Sequence, residues 1–159
     1  MALRTGKTIL ITPSLFSPRR NLPLISSRKR KEANFTCSFG RAWIDHAQRD
    51  KPVRVTAVRE FALAGFGIAD LVVARWSGIG RGLACCVEPE IFAFEMKLFD
   101  WRKALAQAYR YRYYADSSSV VLPMEASHIA KSYIDTFRKL NVGLLAFDSK
   151  CGRMVNLCR

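Results

Sequence analysis

Three extended segments follow one another in this chain with only glycine-rich connections between them, and that succession narrows the fold more than any other feature. Val53 to Leu63 is rich in β-branched residues and partly alternating, and Gly65 and Gly67 supply a turn. Ile68 to Trp76 is a second apolar run and Ile91 to Lys97 a third. The stretch Ser77-Gly-Ile-Gly-Arg-Gly82 joins the last two, and its glycines are too irregularly spaced for a dinucleotide fingerprint, so it reads as a hairpin loop. Three such segments predict an antiparallel meander.

The remainder alternates helix and strand. Before the meander, Phe39 to Arg49 predicts a short first helix that ends at Pro52. After it, Asp100 can cap a helix from Trp101 to about Asp116, a stretch without Gly or Pro. Ser119 to Leu122 reads as a strand that Pro123 stops, and Glu125 to Leu140 as a helix with an apolar stripe of Ile129, Tyr133, Phe137 and Leu140. Val142 to Phe147 is a last buried strand, and Met154 to Leu157 adds an edge. The order helix, three strands, helix, strand, helix, strand predicts an α/β protein: a mixed sheet with helices on both faces, its parallel part joined by right-handed crossovers. A length of 159 residues suits one such domain plus a tail.

The tail is residues 1–34, rich in Pro, Ser, Arg and Lys and containing Arg28-Lys-Arg-Lys31, which predicts a flexible basic arm ahead of a folded domain over residues 35–159. The whole chain carries 26 Lys+Arg against 13 Asp+Glu, a formal charge of +13. The arm holds +7 of that and the domain +6, so the folded part is basic in its own right. A polyanionic partner, nucleic acid before an anionic membrane surface, is the expectation. No segment reaches the roughly 18 to 20 apolar residues of a membrane span, and Pro13 interrupts the short apolar run near the start, so neither a membrane protein nor a secretory signal is predicted. Five cysteines without a Cys-x-x-Cys pair predict reduced thiols and a cytoplasmic location.

The chemistry is concentrated at the end of the third extended segment. Side chains alternate across a strand, so Phe92, Phe94 and Met96 share one face while Ala93, Glu95 and Lys97 share the other. Asp70 stands in the second, otherwise apolar segment, where an unpaired carboxylate would be costly, so it needs a cation. If these two strands pair, Asp70 and Glu95 lie side by side, and two carboxylates with a backbone carbonyl suit Mg²⁺ or Mn²⁺. Such an arrangement can hydrolyse a phosphodiester, with Lys97 positioning water or balancing the charge that develops. The competing reading is a buried salt bridge between Asp70 and Lys97 with Glu95 nearby. Asp148-Ser149-Lys150 has the same letters as Glu95-Met96-Lys97 but neither an upstream strand-borne acid nor a following helix.

Asp70, a hairpin, and then Glu95-Met96-Lys97 resemble the PD-(D/E)xK nuclease superfamily, and Gln107-Ala-Tyr-Arg-Tyr111 is similar to the Gln-x-x-x-Tyr signature of its RecB-like branch. The resemblance covers Phe39 to Phe147, with Ala69 standing where the name's proline would be. It implies a restriction-endonuclease-like αβββαβ core and metal-dependent cleavage of DNA. It further implies Asp70 and Glu95 as metal ligands, the carbonyl of Met96 as a third, and Lys97 as catalytic. Some members add an acid from the first helix or strand, for which Glu60 is the candidate and Asp45 a second. A homodimer is a family-level expectation, and an inactive nucleic-acid-binding protein on the same fold is the alternative.

On the helix after the triplet, Lys103, Gln107, Arg110, Tyr111 and Tyr114 fall within one sector, opposite Trp101, Ala104, Leu105, Ala108 and Ala115. Cations interleaved with rings suit phosphate contact and base stacking, so this sector is the predicted nucleic-acid surface; a plain solvated face is the competing reading. His46 and His128 lack partners at ligand spacing, which argues against zinc or histidine chemistry.

Overall fold

The computed structural model describes residues 27–49, 53–76 and 88–159. Along the chain run α1 (Ser27–Gln48), β1 (Arg54–Leu63), β2 (Gly67–Trp76), β3 (Glu90–Met96), α2 (Trp101–Tyr111), β4 (Ser117–Pro123), α3 (Met124–Lys131), α4 (Ile134–Leu140), β5 (Gly143–Asp148) and β6 (Arg153–Cys158). The strands form one six-stranded sheet in sequential order, β1 to β6. Pairs β1–β2 and β2–β3 are antiparallel, β3–β4 and β4–β5 parallel, and β5–β6 antiparallel. The predicted α/β class with a mixed sheet is what the chain adopts.

Successive crossovers of one hand, stepping the same way across a sheet, place their helices on the same face. Accordingly α2, α3 and α4 share one core, where Trp101, Ala104, Leu105, Ala108, Tyr111, Ala130 and Phe137 pack with Val120, Leu122 and Leu144. Helix α1 covers the other face, and Phe35 and Phe39 pack on Leu71, Val73, Phe94, Met96, Val121 and Phe147. The ring of Phe39 meets Phe94 at 5.1 Å and Phe147 at 5.4 Å, both edge to face, a geometry that adds to the area it buries.

Four boundaries differ by more than one residue from the sequence expectations. Helix α1 begins at Ser27, not near Phe39, so residues 27–34 of the predicted arm are helical. Lys29, Lys31, Glu32 and Ala33 are good helix formers, and a charged run is equally at home on the solvated side of a helix. Residues 1–26, and the loop Ser77 to Gly82, lie outside the described residues. Helix α2 is capped as expected, the Asp100 carboxylate accepting from Lys103 N at 3.1 Å, but stops at Tyr111 instead of Asp116. Asp116 is drawn onto the start of β3: its N–H donates to Ile91 O and its carboxylate accepts from Ile91 N. The predicted helix over 125–140 is two helices, broken at Ser132 and Tyr133. Of its apolar stripe Phe137 is buried, while Ile129 is 65% exposed, and Tyr133 packs across the break on Trp101, ring centroids 4.8 Å apart. Strand β4 begins two residues earlier than predicted, at Ser117.

Candidate active site

Strands β2 and β3 pair with Leu71 opposite Phe94, so one further step sets Asp70 opposite Glu95. Asp70 Oδ2 accepts a hydrogen bond from Met96 N at 2.8 Å, tying the two strand ends together. The Lys97 ammonium donates to Glu95 Oε1 at 2.6 Å and to the Met96 carbonyl at 3.0 Å, and stands 3.7 Å from Asp70 Oδ2. One positive centre thus gathers the two carboxylates and the main-chain oxygen that the sequence had grouped together.

Glu95 is 1% exposed. Burial pushes its carboxyl up to about 7, and the Asp70 charge adds to this against the hydrogen bonds from Lys97 and Tyr111. Burial also raises Asp70, despite Lys97 and the Met96 N–H. For Lys97, burial favours the neutral amine, but Asp70 and Glu95 outweigh it and leave its pKa raised. Two acids that repel one another are thus held together by one ammonium.

Helix α2 completes the cluster from above. Tyr111 is wholly buried, and its hydroxyl lies 2.5 Å from Glu95 Oε2 and 2.7 Å from Ile68 O, two acceptors for one proton. Burial, then the bond to Glu95, pushes this phenol far up. This corrects the expectation that Tyr111 contacts nucleic acid: it faces the core and orients Glu95. Seven residues separate it from Ala104, close to two full helical turns, so the two share the buried stripe. Of the remaining sector, Lys103 and Arg110 are exposed, and Gln107 and Tyr114 are half-buried. The Gln107 Oε1 atom is buried without a hydrogen-bond partner. Burial pushes the Tyr114 phenol up to about 12, and its ring packs on Tyr111, Phe61 and Phe66.

Glu60 does not join the cluster, a second correction. Its neighbours Arg59 and Phe61 pair with Leu71 and Ala69, which leaves Glu60 opposite Asp70. Yet its φ of 52° is left-handed and its side chain is exposed. The same twist reverses the strand's alternation. Arg59 reaches the α1 side, donating to Cys37 Sγ, whereas Phe61 lies against Tyr114 on the α2 side. Asp45, the second candidate, is exposed on α1, as His46 is. The acid that does act on the cluster is Glu32 of α1, whose charge raises both Asp70 and Lys97. Sequence reading missed it by assigning it to the arm; the helix-forming run around it was the available signal. Among the described residues no three His, Cys, Asp or Glu side chains come together as a metal site.

A groove of about 370 Å³ opens at the same end of the sheet, between Lys31, Asn34, Phe35 and Ser38 of α1 and Leu98, Pro123, Phe147 and Lys150. These lie at the carboxyl ends of the parallel strands, where open α/β sheets hold their ligands. A cavity of about 310 Å³ at the opposite end is lined by Trp43, Ser117, Ser119 and Asn156 among others, and Asp70, Glu95 and Lys97 line neither it nor the groove. Cys37, Cys151 and Cys158 are free thiols. Among the described residues no helix is long and apolar enough to cross a membrane. No protein-family model matches the chain, and no curated protein matches it significantly.

Proposed function

We propose that the chain is a divalent-metal-dependent nuclease of the RecB-like branch of the PD-(D/E)xK superfamily, hydrolysing phosphodiester bonds in DNA. The observation that carries this reading is the meeting of Asp70 Oδ2, Glu95 Oε1 and Met96 O around the Lys97 ammonium. Three oxygens, two of them anionic, converge on one positive charge, and such a hard, oxygen-only set fits Mg²⁺ or Mn²⁺. Asp70 and Glu95 would hold the ion, with the Met96 carbonyl as the third protein oxygen, and its charge would polarise the diester and acidify water. Tyr111, anchored on Ile68 O, fixes the rotamer of Glu95. Lys97 orients the attacking water or offsets the negative charge that builds on the phosphoryl oxygens as the new P–O bond forms and the old one breaks. The leaving oxygen takes a proton from solvent. The order α1, β1–β3, α2, β4 matches the αβββαβ core implied by the resemblance. The net charge of +13 supplies the attraction for a polyanion.

Supercoiled, linear and single-stranded DNA incubated with and without Mg²⁺ or Mn²⁺ tests the proposal. Wild type should cut only with metal, and Asp70→Ala and Lys97→Ala should each lower cleavage by about 100-fold or more. Binding without cutting by any form would support the catalytically inactive reading, with Lys97 a purely structural counter-ion. Cutting unaffected by either substitution would place the activity elsewhere.

A further inference from the structure

On the α1 side of the sheet, the residues that share a face with Val121 along β4 are Ser119 and Ser117, because side chains alternate. Ser119 stands between Phe94 and Gly143 of the neighbouring strands, and Ser117 beside Phe92. Side chains therefore shrink from valine to serine and glycine toward the amino ends of the parallel strands, where the cavity of about 310 Å³ opens. A Cβ on Gly143 would clash with Ser119 Oγ, so the floor fits together only while both residues stay small. Ser119 is 8% exposed, whereas the next positions along the same face, Val121 and Leu145, are apolar and pack in the α1 core. A buried hydroxyl in such a place is unfavourable unless it meets a partner. Ser118, on the opposite face, donates to Ala108 O; Ser117 and Ser119 line the cavity.

One wall is aromatic. Trp43 of α1 stands against Phe92 and Phe94, ring centroids 5.0 and 5.8 Å apart, and all three line the space. Asn141 and Asn156 add carboxamides, which like hydroxyls can both donate and accept. The charges at the rim are answered by the main chain: Arg112 Nη1 donates to Leu140 O at 2.9 Å, and Asp116 accepts from Ile91 N at 2.7 Å. Arg159 is exposed, where water and salt screen it. Hydroxyls and carboxamides beside rings suit a flat, uncharged ligand whose edge carries donors and acceptors. Ligand sites run from roughly 300 to 1,000 Å³, so this one, at the small end, takes nothing much larger than a nucleoside.

We propose that this cavity binds an uncharged nucleoside, its base against Trp43 and Phe92 and its polar edge on Ser117, Ser119 and Asn156. The site lies at the other end of the sheet from Asp70, Glu95 and Lys97, and it stands whether or not those groups hydrolyse a phosphodiester.

Equilibrium dialysis of the full chain in EDTA against radiolabelled adenosine, guanosine, cytidine and uridine measures this binding. At least one of them should bind saturably. Ser119→Val, which replaces the hydroxyl by methyls on the cavity floor, should abolish that binding, and Asn156→Ala should weaken it about 5-fold or more. Asn156 is exposed, so its variant keeps the fold, which a thermal melt verifies. Asp70→Asn should bind as wild type does. Absence of saturable binding for all four nucleosides, an Asn156→Ala protein that binds as wild type does, or loss of binding in Asp70→Asn would overturn the proposal. Tighter binding of the corresponding 5′-monophosphate would overturn the assignment to an uncharged ligand, and equal competition by glucose would overturn the assignment to a flat ring.

Discussion

Lys97 is the residue on which the site's energetics turn. It compensates a buried carboxylate and a half-buried one, so removing it leaves like charges facing each other out of water. Lys97→Ala should cost about 3 kcal/mol in urea unfolding, the low end for a broken buried pair because the side chain keeps some water contact. Adding Glu95→Gln should restore part of that loss; a double variant no more stable than Lys97→Ala would show that charge is not the cause. Tyr111→Phe removes a hydroxyl shared between Glu95 and Ile68 O. It should lower stability by about 1 kcal/mol and slow cleavage while leaving oligonucleotide affinity unchanged, since this ring does not reach the surface. At this scale the sequence was informative about Asp70, Glu95 and Lys97, because strand alternation and antiparallel pairing are enough to bring them together. It was uninformative about Glu60, whose left-handed backbone no residue type announces. The role of Tyr111 was hidden because a ring near the edge of a helical sector can turn either way.

Among the elements, α1 and the crossover helices clamp the sheet so that the ends of β2 and β3 keep their register. Phe39 is fully buried between Phe94 and Phe147. Phe39→Ala should therefore cost about 3–4 kcal/mol, read as a lowered urea midpoint, and a loss under 1 kcal/mol would mean that α1 is not docked as described. Where β4 meets β5, a Cβ on Gly143 would clash with Ser119 Oγ and lie 3.3 Å from Cys158 O. Gly143→Ala should destabilise by about 1–3 kcal/mol, and Ser119→Ala should relieve part of it. The strands were legible because β-branched runs between turn residues have few other uses. The helix boundaries were not: α1 starts where charge suggested a tail, and α2 stops where Asp116 is claimed by the main chain of Ile91. The break at Ser132 depends on Tyr133 finding Trp101, a contact between segments far apart in sequence.

On the scale of the whole molecule, the sheet gathers Asp70, Glu95 and Lys97 at one end, and the chain carries a formal charge of +13. Affinity for a single strand should fall linearly in log–log form with salt, with a slope of about −0.7 for each phosphate neutralised. Lys103→Ala and Arg110→Ala should each make that slope shallower by about that amount. A salt-independent affinity would contradict an electrostatic surface. Composition points to a polyanionic partner but to no particular face, since only the folded chain shows that Phe99 and Tyr113 stand in solvent. The central claim, that adjacent strand ends assemble an oxygen site for a divalent ion, is most directly tested by calorimetric titration of Mn²⁺ into wild type and into Asp70→Asn/Glu95→Gln. Saturable binding in the wild type that the double variant lacks is the predicted result; identical binding by both proteins, or none by the wild type, would contradict it.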